Sequence, residues 1–108
     1  MHHIQTELAF VLEQSKGVSY DEFLTHPLLS KAFVRSFEII GKASKNLSDQ
    51  LRYDNPEFDW KGFAGMRDKL IHHYWGIDYH LMWDAIQNEI APNKEWIDLI
   101  IEQESDKL

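Results

Sequence analysis

Residues 65–78 read GMRDKLIHHYWGID, and the stretch sets Arg67, Asp68, His72, His73 and Tyr74 within two helical turns of one another. A guanidinium presents its N–H donors in a flat fork that fits a carboxylate or a phosphate. An imidazole is the side chain best suited to move a proton near neutral pH. Anion binding with proton transfer beside it is therefore the chemistry this set suggests. Metal chemistry is not indicated. Adjacent histidines on a helix diverge by about 100°, and no H-E-x-x-H run or carboxylate pair accompanies them. The chain has no cysteine, which excludes thiolate ligands and thiol nucleophiles. It has neither a serine in a nucleophile elbow nor a glycine-rich phosphate loop.

The helix that must carry these residues is predicted from about Phe58 to Tyr74, stopped by Gly76. On its wheel Trp60, Phe63, Ala64, Leu70, Ile71 and Tyr74 share an apolar arc, with Arg67 at its centre. A guanidinium on such a face needs an acid or an anion to offset its desolvation. Two readings fit: Arg67 is a structural partner of Glu38 or another acid, or it binds an anionic ligand. His72 falls about 140° from Arg67, beside Lys61, Gly65 and Asp68, so one helix alone does not stack the two. His72 reads either as a surface residue paired with Asp68 one turn earlier, or as a catalytic group. Two such helices meeting across a twofold axis would combine both chains' groups, which makes a homodimer the expected architecture. Tyr74 reads as a core-edge aromatic or a functional hydroxyl.

A second helix bears on the same question. It is predicted to open at Pro27 and run to about Leu51. Leu29, Ala32, Phe33, Ser36, Ile39, Ile40, Ala43 and Leu47 form its inner arc, opposite Lys31, Arg35, Glu38, Lys42 and Lys45. That outer strip is either an ordinary solvated face or a basic ridge that tracks a phosphate backbone. Residues 31–69 hold eight of the eleven Lys and Arg against six acids, although the whole chain carries −7. A polyanion would meet the middle of the chain.

Around these two helices the pattern is helical nearly everywhere. A first helix is expected from about Ile4 to Lys16, closed by Gly17, and a short one follows, capped by Ser19 with Glu22 as its capping-box partner. Asn55-Pro56 marks a break, Asp78 caps a helix to about Asn88, and Pro92-Asn93 starts the last. The 108 residues read as a single all-α domain over 1–108, an up-and-down bundle of four to five main helices. No leader-like N-terminus or membrane-length apolar run is seen, so no membrane association is expected and the expected location is cytoplasmic.

As a pattern, Arg67-Asp-Lys-Leu-Ile-His72-His-Tyr74 is R-x-x-x-x-H-x-Y. It resembles the signature of the HepT family, a branch of the HEPN superfamily of small helical ribonucleases. FVRSFEIIGKASKNLS (33–48) and YDNPEFDWKGFAGMRDKLIHHYWGID (53–78) resemble the family's corresponding segments, and the likeness extends over about residues 4–92. The resemblance implies an HEPN-like bundle and a homodimeric toxin that cleaves RNA without a metal or other cofactor. Arg67 and His72 match the catalytic pair, and Tyr74 matches the tyrosine that receives AMP from a minimal nucleotidyltransferase antitoxin. The substrate would be messenger or transfer RNA, with Lys31, Arg35, Lys42 and Lys45 as RNA-contacting residues. Where the family commonly has Asn after the motif arginine, this chain has Asp68, a carboxylate that would repel phosphate unless it orients His72. Where the family often reads Ile-Gly-Glu, this chain has Lys42. The alternative function is a non-catalytic helical subunit that binds substrate for a nucleotidyltransferase, favoured by the net charge of −7.

Overall fold

The computed structural model describes residues 1–72 and 76–106 of the chain. Among them lie seven helices: α1 (His2–Gln14), α2 (Tyr20–Thr25), α3 (Pro27–Asn46), α4 (Asp49–Asp54), α5 (Trp60–His72), α6 (Tyr79–Asn88) and α7 (Ile90–Asp106). Five of these reach ten residues or more, and no strand occurs among the described residues, so the fold is the all-α bundle expected. α3 lies at the centre, packed on α5 along one side and on α1 along another, while α7 covers α1 and also meets α6.

Side-chain caps set most of the helix starts. Ser19 Oγ accepts the Glu22 N–H at 3.1 Å and donates to the Glu22 carboxylate at 3.2 Å, which opens α2. The imidazole of His26 accepts the Leu29 N–H at 3.1 Å, and Pro27 follows in the first turn of α3. Asp59 Oδ1 accepts the Gly62 N–H at 3.0 Å, so α5 starts at Trp60 and not at Phe58. Asp78 caps α6 through the Leu81 N–H at 2.9 Å, as its position predicts. α7 begins two residues before Pro92. A proline is tolerated there because N–H groups in the first turn have no partner within the helix. Among the described residues Gly17 is the one with positive φ, 72°, in the turn that follows α1.

The long helix is shorter than its sequence suggests. α3 stops at Asn46 instead of near Leu51, because Leu47 turns extended and Ser48 starts a new helix by accepting the Leu51 N–H at 3.1 Å. Asp49 in the first turn of α4 favours the same restart, its charge meeting the positive helix end. Beyond α4, Asn55 is buried and fixes the break. Its amide donates to the Leu51 carbonyl at 2.9 Å, and its own carbonyl accepts from the Trp60 indole at 2.8 Å. Asn93 Oδ1 accepts the Asp59 N–H at 2.9 Å, tying the start of α5 to α7.

The buried face of α3 is also turned from its predicted arc. Ser30, Phe33, Ser36, Phe37, Ile40, Gly41 and Ser44 are buried, so Phe37 belongs to the core, whereas Leu29, Ile39, Ala43 and Leu47 are only partly covered. The cause is close packing on α5. A Cβ at Gly41 would lie 2.3 Å from Cβ of Arg67 and 2.7 Å from the Phe63 carbonyl oxygen. Beside this approach Phe37 and Phe63 stack with ring centroids 6.2 Å apart. Further along the seam Lys45 Nζ donates to Asp68 Oδ1 at 2.5 Å. That bond, then the charges of Lys45, Arg67 and His72, hold the Asp68 carboxyl below its ordinary pKa, with burial opposing.

Two outcomes follow from this seam. Gly41→Ala forces the two helices apart and lowers stability by about 1–3 kcal/mol, read as a lower urea midpoint. Asp68 is depressed in the folded state, so its stabilising contribution is present above roughly pH 4 and is lost as pH falls through its lowered value. The urea midpoints of wild type and Asp68→Asn therefore converge on acidification, and the gap at neutral pH narrows in high salt.

Candidate functional site

Arg67 leaves the core on the side of α5 that faces α3. Its stem packs over Gly41, and its side chain keeps a quarter of its exposure. The head lines a groove of about 450 Å³ together with Arg35, Glu38, Lys42 and Asn46 of α3 and His3 of α1. Ile39, Ala43 and Ile71 supply the apolar margin, and Ile71 is exposed. Of the residues on the predicted inner arc of α3, Ile39 and Ala43 thus face this groove.

The charge partners answer the question raised by an arginine on an apolar face. Glu38 lies 3.5 Å from Arg35, not within ion-pair distance of Arg67. The one acid paired with Arg67 among the described residues is Asp68, at 4.0 Å, too far for a hydrogen bond. No hydrogen bond holds the guanidinium among the described residues, so its donor fork is available to an anion entering the groove.

The other candidates separate. His72 is exposed at the last position described in α5 and does not line this groove, in keeping with its angular offset from Arg67. Tyr74, with His73 and Trp75, lies outside the described residues. Arg35 and Lys42 reach the groove. Lys31 is exposed farther toward the start of α3, and Lys45 is turned to Asp68, lining a separate hollow with Asp49, Arg52 and Lys61. Asp68 shares its carboxylate between Lys45 and Arg67. His3 and Asn46 were not anticipated at the site. Nothing in the local pattern around His3 points to it, because its position depends on how α1 packs along α3.

Among the described residues no three His, Cys, Asp or Glu side chains gather closely enough to hold a metal ion. Nor is any helix among them long and apolar enough to cross a membrane. The groove instead offers two arginines and a lysine to an anion, with an imidazole at its edge.

The family model described as ribonuclease HepT-like matches residues 4–100. A protein of Caldanaerobacter subterraneus subsp. tengcongensis, provisionally named an RNase, is 43% identical over 96% of this chain and 93% of its own length. One of Methanocaldococcus jannaschii, also provisionally named an RNase, is 38% identical over 94% of this chain and 84% of its own. A Thermococcus cleftensis protein provisionally named ribonuclease HepT is 33% identical over 87% and 86%. No solved structure matches the chain. The match over residues 4–100 and the identity with these relatives show that the chain belongs to the HepT-like ribonuclease family.

Proposed function

We propose that the protein is a metal-independent endoribonuclease toxin that works as a homodimer and is neutralised by AMP transfer to Tyr74 from a minimal nucleotidyltransferase antitoxin. The observation that carries the reading is the open guanidinium of Arg67, set in a groove with Arg35 and Lys42 on a chain of a ribonuclease family. RNA brings its own nucleophile. His72 takes the proton of a 2′-hydroxyl, whose oxygen attacks the adjacent phosphorus. The bond from phosphorus to the 5′-oxygen breaks, and that oxygen leaves with a proton returned by an acid. The products are a 2′,3′-cyclic phosphate and a free 5′-hydroxyl, and no water is consumed. Arg67 stabilises the charge that builds on the non-bridging oxygens. Arg35 and Lys42 hold the flanking backbone.

One chain points Arg67 and His72 in different directions, and this favours a site made by two. Pairing along the groove margin would cover exposed Ile71 and bring the partner's α5 to the same cleft. AMP on Tyr74, the tyrosine of the motif, would add bulk and negative charge that oppose the binding of RNA phosphate. The second reading, a non-catalytic subunit that presents substrate to a nucleotidyltransferase, is favoured by the −7 net charge and by Glu38 in the groove.

Incubation with total transfer RNA in EDTA separates the two. The enzyme reading expects cleavage that falls by about 10²–10⁴ in His72→Ala and by about 10²–10³ in Arg67→Ala. Light scattering is expected to give twice the 12.8 kDa chain mass. RNA left intact by wild type that still binds the nucleotidyltransferase would establish the subunit reading instead. Co-expression with the nucleotidyltransferase should raise the intact mass by whole adenylyl units, a gain absent in Tyr74→Phe.

A further inference from the structure

The strip of cations on α3 is not uniform. Arg35 and Lys42 open into the groove, whereas Lys45 lines a separate hollow and bonds Asp68. The acceptor is the same oxygen, Oδ1, that lies 4.0 Å from Arg67. One carboxylate oxygen therefore stands between two cations, 2.5 Å from the ammonium and well short of contact with the guanidinium. A guanidinium prefers a paired, two-point bond with a carboxylate whenever one comes within reach. Asp68 is the acid placed to make that bond, and doing so would occupy the donors that the ribonuclease reading reserves for phosphate.

We propose that Lys45 is a positioning residue that acts through Asp68, holding its carboxylate off Arg67 and cancelling its charge so that the guanidinium stays open to an RNA phosphate. The inference rests on the ribonuclease reading of the Arg67 groove. It assigns Lys45 a role other than direct RNA contact. The Lys45–Asp68 bond joins α3 to α5 and bypasses the groove, so the compensation is built into the helix seam. The depressed carboxyl of Asp68 agrees with an acid kept charged between cations.

The test uses a fluorescent single-stranded 2′-O-methyl oligoribonucleotide, which binds as RNA and has no nucleophile to be cleaved. Lys45→Gln is expected to weaken binding about tenfold at low salt, since it leaves an uncompensated charge near Arg67. Lys45→Arg should bind like wild type, which also shows that position 45 tolerates replacement. The deciding variant is Lys45→Gln/Asp68→Asn, which removes both charges and should restore wild-type affinity. Asp68→Asn alone should bind at least as tightly as wild type. If the double variant stays as weak as Lys45→Gln, Lys45 touches RNA directly and the proposal is overturned. It is equally overturned if Lys45→Gln binds normally or if wild type does not bind the probe. Wild type that binds the probe in this pattern but leaves ordinary RNA uncut would refute the ribonuclease reading and leave the Lys45–Asp68 relation standing.

Discussion

The close approach of α3 to α5 at Gly41 is the constraint on which the rest depends. With no side chain at position 41, the stem of Arg67 and the Phe63 carbonyl come against the α3 backbone. That contact rotates α3 so that Phe37 enters the core against Phe63, while Ile39 and Ala43 move to the groove. Arg67 consequently does two jobs with two parts of one side chain. Its methylenes fill the seam, and its head emerges into a groove lined by polar groups of three helices. An apolar wheel position and a charged head are compatible because the arginine is long enough to bridge them.

Net charge is a poor guide to this surface. The chain is strongly acidic, yet the acids nearest the groove each stand beside a cation, Glu38 beside Arg35 and Asp68 beside Lys45. Such exposed pairs contribute little to stability. Their effect is on the local field, which they leave to Arg67 and Lys42. The groove lining carries three cations, Arg35, Lys42 and Arg67, against one acid, Glu38, a balance opposite in sign to the sum over the chain.

Much of the fold was legible because local rules and tertiary packing agree. Ser19, Pro27, Gly17 and Asp78 punctuate the chain where their side-chain chemistry says they should. The misjudged elements are those where a short signal was outweighed by a long periodic one. Ser48-Asp49 restarts the helix inside a run that still looks apolar and helical, and the α3 wheel could not show which small residues would meet α5. The site was legible in part. Arg67 stood out as a charge on an apolar face, and Arg35 and Lys42 as a ridge. The partner of Lys45 could not be read, since Asp68 lies 23 residues away on another helix. His3 was invisible for the same reason.

His3 carries a practical corollary. It places the first turn of α1 at the wall of the Arg67 groove, so the amino terminus of the described chain opens beside the cleft. Any affinity handle fused ahead of Met1 would hang over that opening, and a polyhistidine handle would add imidazoles at the spot where the native one already sits.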